Sequence, residues 1–212
     1  MNIAVLASGS GTNLQSLIDG SARGELGPAA LVVVGANVPG CRALARAQAA
    51  GVPTFVVDHR AFAARADFDR ALLDQLAPHR VDLIVLAGFM RLLGNEFLER
   101  YRGCVINIHP ALLPAFPGVH GQRQAFAYGA KLSGCTVHFV DSGVDSGPII
   151  AQAGVPVLDD DDEAALAARI LNEEHRLLPA VVCALAEGRV AIEGRRVRIR
   201  GSHPSSLFVR SV

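Results

Sequence analysis

The sequence predicts a doubly wound, Rossmann-like α/β fold with a mostly parallel sheet and an antiparallel strand near the C-terminal part. Short apolar runs, rich in Val, Ile and Leu, alternate with longer stretches of helical periodicity through most of the chain. Such alternation is typical of βαβ units, whose right-handed crossovers place helices on both faces of a parallel sheet. A glycine-rich turn follows the first apolar run. A short connecting loop, called the joint below, links two later apolar runs and is typical of an antiparallel pair of strands.

The first half of the chain predicts five buried strands. Each is a short apolar run bounded by turn residues, which favours strands that are covered on both faces. The predicted strands are Asn2–Ala7, Ala30–Gly35, Thr54–Val57, Asp82–Ala87 and Cys104–Ile108, and the predicted helices between them are Thr12–Ser21, Cys41–Ala50, Phe62–Leu76 and Gly94–Tyr101. The apolar residues of the third helix recur at helical spacing and share roughly one face: Phe62, Ala66, Phe68, Leu72, Leu73 and Leu76.

The pattern changes after Ile108. The segment His109–His120 contains three prolines and a glycine, which is too irregular for a helix or a strand. The elements predicted beyond it are a helix at Gly121–Tyr128, an antiparallel pair at Gly134–Val140 and Pro148–Val157, a helix from the acidic run Asp159–Glu163 to about Ala186 with a kink at Pro179, and a hairpin of Arg189–Ile192 with Arg196–Arg200. We expect one domain over residues 1–212.

The composition excludes several classes of protein. Of 212 residues, 50% are hydrophobic, and 20 Lys and Arg balance 20 Asp and Glu. A chain without net charge has no overall attraction for nucleic acid or an anionic membrane, and no apolar run approaches the roughly 20 residues of a membrane span. The four cysteines are widely spaced, which favours reduced, largely buried thiols. We expect a cytoplasmic protein with neither nucleic acid nor membrane as a partner.

A run of small and polar residues, Ser8–Asn13, follows the first predicted strand. Glycines there let the chain turn tightly and expose backbone N–H groups at a helix N-terminus, where an anion binds. The run is longer than an ordinary strand-to-helix turn requires, so it predicts a phosphate site. A dinucleotide fingerprint is disfavoured because Leu14 stands where the third glycine belongs and no acidic residue ends the second strand. The run also lacks the ending of a P-loop.

Asn107 and His109 lie at the end of the fifth predicted strand. Alternation along a strand places both on the same side, and ligands of open α/β sheets bind beyond the carboxyl ends of the strands. We therefore interpret this pair as functional rather than as an isolated buried histidine. His138 is one of several scattered histidines without a shared spacing, and the sequence assigns it no role.

The joint Asp141–Gly147 contains two aspartates among glycines and serines. Taken alone it is typical of a solvated turn, and its spacing lacks the later glutamate of a calcium-binding EF-hand loop. Together with His109 it suggests a pair of imidazole and carboxylate, in which the carboxylate raises the histidine's pKa and favours the imidazolium form.

Two longer segments resemble the 10-formyltetrahydrofolate-dependent formyltransferase family. They read VINIHPALLPAFPG at Val105–Gly118 and HFVDSGVDSGPIIAQ at His138–Gln152. Within the family, three more segments are similar to members that formylate glycinamide ribonucleotide: SGSGTNLQ at Ser8–Gln15, LAGFMRLL at Leu86–Leu93 and EEHRLLP at Glu173–Pro179. The resemblance covers about Asn2–Gly188 and implies a phosphate-binding half at about 1–100, a folate and catalytic half at about 101–188, and a terminal hairpin at about 189–200.

The resemblance implies roles for the matching positions. Asn107, His109 and Asp145 would be the catalytic polar groups. Gly11, Thr12 and Asn13 would bind the phosphate of the ribonucleotide, and Glu174 its glycinamide-ribose end. The residues that would hold the folate are Arg65, Met90, Arg91, Leu92, Leu93, Asn107, Asp141 and Val144. The co-substrate implied is 10-formyltetrahydrofolate, and the resemblance implies no metal.

The implied reaction is transfer of a formyl group to the amine of glycinamide ribonucleotide in purine biosynthesis, by a monomer or a homodimer. Relatives that act on tRNA carry a further C-terminal domain, and relatives that hydrolyse the formyl folate carry an N-terminal one; we expect neither domain here. The hydrolase activity and a non-catalytic nucleotide-binding module stay open as alternatives. The module would explain the glycine run, but it would not explain Asn107, His109 and Asp145.

Overall fold

The computed structural model describes residues 1–201, which form two compact units. The first comprises Met1–Asn107, and the second begins at Ile108. The single domain over residues 1–212 stays a prediction, and residues 202–212 of that range lie outside the described part of the chain.

The first unit alternates strands and helices, as the periodicity predicts. Its elements are β1 (Asn2–Ala7), α1 (Thr12–Ala22), β2 (Ala30–Ala36), α2 (Arg42–Ala49), β3 (Thr54–Val56), α3 (Arg65–Leu76), β4 (Leu83–Leu86), α4 (Asn95–Arg100) and β5 (Val105–His109). Short 3₁₀ turns at His59–Ala61 and Ala77–His79 flank α3. The residues of β1 and β4 are almost all buried because their continuous apolar runs leave no polar face.

The seven strands follow the order β3-β2-β1-β4-β5-β6-β7, where β6 is Leu132–Phe139 and β7 is Ile149–Pro156. The chain starts in the middle, at β1, runs outward to β3 and then returns to β4 on the other side of β1. The pairs from β1 to β5 are parallel, which confirms the predicted doubly wound α/β class. This reversal between β1 and β4 is the topological switch point at which such sheets bind ligands.

The second unit packs a long helix on an antiparallel pair of strands. Its remaining elements are α5 (Gly121–Tyr128), α6 (Glu163–Ala186), β8 (Val190–Glu193) and β9 (Arg196–Ile199). The strands β6 and β7 are antiparallel, as the short joint between them predicts, and α6 lies against both. The strands β8 and β9 form the predicted terminal hairpin. Pro179 lies inside α6, and the helix continues on both sides of it.

Helix α3 begins later than the sequence suggests. The helix predicted from Phe62 begins at Arg65, since Phe62 and Ala64 have extended backbone conformations. On its inner face Asp69 is buried, whereas Ala66 is exposed. The acidic run Asp159–Glu163 leads into α6, as predicted: Glu163 is the first residue of the helix, and the carboxylate of the N-cap Asp162 accepts the N–H of Ala165 at 2.7 Å.

The four cysteines are free thiols, as expected, and none of them is fully exposed. Only Cys135 is buried, whereas Cys41, Cys104 and Cys183 are partly exposed. Burial, reinforced by the charges of Glu174 and Glu173, raises the pKa of Cys135 far above its usual range. Within residues 1–201 no helix is long and apolar enough to cross a membrane.

Replacing Asp162 by alanine tests the assignment of the α6 cap. Loss of the side-chain acceptor should lower the free energy of unfolding by about 1 kcal/mol, measured by urea denaturation. Asp160→Ala is the matched control, because the exposed Asp160 lies outside the cap. An equal loss in the two variants would show that the cap does not stabilise α6.

Candidate active site

The loop between β1 and α1 presents the N-terminus of a helix without a side-chain cap. Gly11 occupies the N-cap position with φ of 69°, in the left-handed region that favours glycine. A Cβ at this position would lie 2.6 Å from the Cα of Ala43, so a side chain is also excluded by space. Gly11 supplies no side-chain cap to the first N–H groups of α1, and N–H groups at a helix N-terminus together with the helix dipole attract an anion.

The same loop is fixed on both sides of the switch point by Ser8. The hydroxyl of Ser8 donates to Asn37 Oδ1 at 2.6 Å and accepts the N–H of Met90 at 2.7 Å. Asn37 follows β2 and Met90 comes after β4, whereas Ser8 itself follows β1. One hydroxyl therefore connects the ends of three neighbouring strands. The guanidinium of Arg46 adds a hydrogen bond to the carbonyl of Ser10 at 2.9 Å. The loop is therefore held rigidly before any ligand binds.

Asn107 lies at the carboxyl end of the sheet in the first unit. The pairing register places Leu6 of β1 beside Leu86 of β4, and Leu86 beside Asn107 of β5. Asn107 is half-buried, and its neighbours Leu6 and Leu86 are the last residue but one of β1 and the last residue of β4. The glycine loop, which follows β1, and Asn107 therefore lie at the same edge of the sheet.

His109 is two residues further along β5 and is almost fully buried, with 3% of its surface exposed. Its Nδ1 lies 3.3 Å from Asp145 Oδ2. Its Nε2 lies 2.8 Å from the carbonyl oxygen of Phe116. Both ring nitrogens therefore face oxygens that accept hydrogen bonds, and the predicted pairing of imidazole and carboxylate is present.

Asp145 is held by donors from three stretches of the second unit. Besides His109, the N–H of Gly118 donates to Oδ2 at 2.7 Å, and Nε2 of His138 lies 3.5 Å from Oδ1. The other ring nitrogen of His138, Nδ1, lies 2.8 Å from the carbonyl of Phe139. The backbone of Asp145 has φ of 50°, an unusual value for a residue with a side chain.

The backbone of Asp141–Gly147 is shaped by its own side chains. Asp141 Oδ1 accepts the hydroxyl of Ser146 at 2.6 Å and the N–H of Gly143 at 3.1 Å. A Cβ at Gly147 would overlap the carbonyl of Phe139, so only glycine fits at that end. Arg195, from the turn of the terminal hairpin, donates to the carbonyl of Ser146 at 2.9 Å. These contacts fix the segment that carries Asp145.

The irregular segment after β5 is anchored to the strands β6 and β7. The hydroxyl of Thr136, which is fully buried, donates to the carbonyl of Ala111 at 2.7 Å and accepts the N–H of Leu113 at 3.1 Å. The amide of Gln152 donates to the carbonyl of Leu113 at 2.8 Å. These hydrogen bonds fix the first part of the segment. The chain then continues to Phe116, whose carbonyl oxygen lies beside His109 Nε2.

Burial and hydrogen bonding change the proton affinity of the pair in a way that the sequence did not predict. Burial lowers the pKa of His109 from its ordinary value of 6.5. The charge of Asp145 and the carbonyl of Phe116 oppose this shift but do not overcome it. The expectation that Asp145 keeps the imidazole charged is therefore wrong, although the carboxylate does act in the expected direction.

The pKa of Asp145 is also lowered. Burial alone would raise it, but the hydrogen bond from His138, the N–H of Gly118 and the two imidazoles outweigh burial. The carboxylate therefore stays ionised at neutral pH beside an imidazole that releases its proton easily. An ionised Asp145 beside such an imidazole suits a histidine that takes up a proton only transiently during a reaction.

The other predicted site residues lie on three helices and two loops. Arg65 is the exposed first residue of α3, and Met90, Arg91 and Leu92 are exposed after β4, whereas Leu93 is buried. Asp141 is half-buried and Val144 exposed, both in the joint between β6 and β7. Thr12 and Asn13 are the first two residues of α1. Glu174 is buried on α6, with 6% of its surface exposed.

Sequence reasoning missed His138. Its side chain reaches Asp145 because β6 ends where the joint to β7 turns back, and this contact spans seven residues of chain. The signal was present as His138 before the aspartate-rich joint, but a lone histidine in a strand has no distinguishing spacing. Within residues 1–201 no three His, Cys, Asp or Glu side chains are grouped to hold a metal ion.

The fold and the site define a class of protein. A family model described as Formyl transferase matches residues 1–182, so the chain belongs to the formyl transferase family. Its similarity to particular members is high over nearly its whole length.

Two relatives and one solved structure illustrate the similarity. The phosphoribosylglycinamide formyltransferase of Mycobacterium tuberculosis (strain H37Rv) is 51% identical over 93% of each chain. The trifunctional purine biosynthetic protein adenosine-3 of Drosophila melanogaster is 50% identical over 90% of this chain, which spans 14% of that longer protein. The crystal structure of glycinamide ribonucleotide transformylase 1 from Symbiobacterium toebii superposes with a TM-score of 0.91 at 50% identity, covering 94% of this chain and 93% of that one.

The titration of His109 tests the electrostatics of the site. Because burial disfavours the imidazolium, its pKa in the free protein should lie below 6.5, measured by NMR of labelled histidine. Asp145→Asn should lower it further, since the carboxylate favours the charged ring. The unfolded chain binds this proton more readily than the folded chain, so lowering the pH through this range also favours unfolding. A pKa above 6.5, or one that rises in Asp145→Asn, would contradict this electrostatic assignment.

Proposed function

We propose that the protein transfers the formyl group of 10-formyltetrahydrofolate to the amine of glycinamide ribonucleotide, yielding the formylated ribonucleotide and tetrahydrofolate in purine biosynthesis. The observation that carries the proposal is the arrangement of Asn107 and His109 at the end of β5, with Asp145 3.3 Å from His109, in a chain of the formyl transferase family. The relatives named for this activity match it over nearly their whole length.

The reaction needs stabilisation of a developing negative charge. The amine attacks the carbonyl carbon of the formamide, and the formyl oxygen becomes an oxyanion as the tetrahedral intermediate forms. The side-chain amide of Asn107 and an N–H of His109 are the hydrogen-bond donors for this oxygen. Donors that are fixed before the reaction stabilise such a charge by several kcal/mol.

His109 also accounts for the movement of a proton. Its Nε2 faces the carbonyl of Phe116 and its Nδ1 faces the carboxylate of Asp145, and both oxygens only accept hydrogen bonds. The neutral ring donates to one of them, and a second proton lets the charged ring donate to both. The attacking nitrogen loses a proton and the leaving nitrogen gains one, so a ring that is neutral at rest and paired when charged suits the transfer.

The carbonyl of Phe116 occupies the position at Nε2 that the formyl oxygen needs. Phe116 has φ of 54°, an unusual conformation for a residue with a side chain. We expect the folate to displace this carbonyl, which moves Phe116–Gly118 while Thr136 keeps Ala111 and Leu113 in place.

The two substrates bind through local groups. The phosphate of the ribonucleotide binds at Gly11, Thr12 and Asn13, mainly through backbone N–H groups, and Glu174 receives its glycinamide-ribose end. The folate lies against Met90–Leu93, Asn107, Asp141 and Val144, with Arg65 and Arg91 for its acidic tail. In this proposal both substrates are small molecules and 10-formyltetrahydrofolate is the co-substrate, with no metal, nucleic acid or membrane involved. The enzyme acts in the cytoplasm as a monomer or a homodimer.

A spectroscopic formyl-transfer assay tests the function. Purified protein is given 10-formyltetrahydrofolate with and without glycinamide ribonucleotide, and the folate product and released formate are both measured. We expect folate turnover only with the ribonucleotide. Formate release without it would identify a hydrolase instead, and ligand binding without turnover would identify a nucleotide-binding module.

Two substitutions test the catalytic roles. His109→Ala removes the donor and proton carrier, and Asp145→Asn keeps the shape but removes the negative charge. Each should lower kcat at least about 100-fold, measured under saturating concentrations of both substrates. Thermal unfolding checks that the fold is intact.

The matched controls are His79→Ala and Asp160→Asn, which change the same residue types away from the site. Both controls should retain normal turnover. Near-normal kcat in His109→Ala or Asp145→Asn would refute the assignment of these residues.

A further inference from the structure

The segment between β4 and α4 has an unusual exposure pattern. Met90 and Leu92 are large apolar residues that are 64% and 57% exposed, whereas Phe89 and Leu93 on either side of them are buried. Apolar side chains that face solvent from a fixed backbone are a suitable surface for a flat, partly apolar ligand. The conformation of this segment therefore decides what it can bind.

Helix α3 holds both ends of the segment. At its start, the ring of Phe68 stacks on Phe89, with centroids 6.5 Å apart and planes 15° from parallel. At its end, the N–H of Gly94 donates to Asp69 Oδ2 at 2.7 Å, and this hydrogen bond is buried. Two consecutive residues of one helix thus contact the residue before Met90 and the residue after Leu93.

Asp69 is an uncommon residue for the position that it occupies. Only 2% of its surface is exposed, on a helix face that otherwise buries Phe68, Leu72 and Leu76. Burial raises the pKa of Asp69, although the N–H of Gly94 and the charge of Arg65 oppose the shift. Among residues 1–201, no group donates a hydrogen bond to Oδ1. A buried carboxyl group costs stability, so packing alone would favour an apolar residue here.

Gly94 allows the close approach of this carboxyl group. A Cβ on Gly94 would lie 2.5 Å from Asp69 Oδ2 and 3.4 Å from Arg65 Nε. The backbone of Gly94 is extended, with φ of −85°, so the absence of a side chain serves space rather than conformation. Asp69, Gly94 and Arg65 therefore meet at one point, where the segment joins α4.

We infer that Asp69 is a positioning residue that fixes the end of the Phe89–Gly94 segment and so holds Met90–Leu93 in the shape that receives the folate. The inference rests on the proposed function, because it takes Met90–Leu93 and Arg65 as part of the folate site. Asp69 touches neither substrate and acts through the backbone of Gly94.

Four variants separate positioning from general stability. Asp69→Ala removes the acceptor of the Gly94 N–H. Asp69→Asn keeps a side-chain oxygen for that N–H, and its NH₂ group takes the place of Oδ1, which accepts no hydrogen bond in the described residues. Gly94→Ala pushes the carboxyl group away by its Cβ. Asp74→Ala is the matched control, an exposed aspartate on the same helix.

The first readout is the KM for each substrate. Asp69→Ala and Gly94→Ala should raise the KM for the formyl folate about tenfold, the typical effect of losing one hydrogen bond to a charged group. The KM for the ribonucleotide and the value of kcat should change less than twofold. Asp69→Asn should restore most of the folate affinity, and Asp74→Ala should match the unchanged protein.

A double variant makes the test specific. In the Asp69→Ala background the carboxyl group is absent, so adding Gly94→Ala should raise the folate KM less than twofold further. Independent, additive effects of the two substitutions would show that Gly94 and Asp69 do not act through each other. A parallel rise in both KM values would indicate a general loss of structure and would overturn the inference.

Amide hydrogen exchange gives a readout that does not depend on turnover. Residues 90–94 should exchange at least tenfold faster in Asp69→Ala than in Asp69→Asn or Asp74→Ala. If the wild-type protein fails the formyl-transfer assay, the proposed function fails but this exchange difference still tests the positioning. Unchanged exchange in Asp69→Ala would overturn the positioning role even if the enzyme is active.

Discussion

Asp145 is half-buried between two imidazoles, and the groups around its carboxylate come from three stretches of the second unit. His109 is supplied by β5, His138 by β6, and the N–H of Gly118 by the segment that follows β5. Without this carboxylate, one backbone donor and two rings would lose a common partner in a site with little access to water. The positive φ of Asp145 and the hydrogen bonds made by Asp141 serve to place it there.

The two halves of the proposed chemistry use different physical means. The proposed phosphate site is made of backbone: Gly11 in a left-handed conformation, the N-terminus of α1 and a loop held by the hydrogen bonds of Ser8. The proposed catalytic site is made of side chains whose proton affinities are set by burial and by each other. A chain without net charge can therefore bind anionic small molecules, because recognition depends on local groups and not on overall charge.

Much of this could be predicted from the sequence because it is local. Apolar runs located the strands of the sheet, the glycine-rich run Ser8–Asn13 located the turn between β1 and α1, and alternation placed Asn107 and His109 on one side of β5. The remaining features depend on contacts between distant residues. No spacing indicates that His138 reaches Asp145, that Asp69 turns inward to Gly94 while Ala66 faces out, or that burial outweighs Asp145 in setting the pKa of His109.

A crystal structure with a stable 10-formyl folate analogue and glycinamide ribonucleotide would test the central claim most directly. The formyl oxygen should lie within hydrogen-bond distance of Asn107 and of His109 Nε2, with the carbonyl of Phe116 displaced and Asp145 still paired with Nδ1. The phosphate should lie on the N–H groups at Gly11–Asn13. A folate bound elsewhere, with the carbonyl of Phe116 still on His109, would contradict the mechanism.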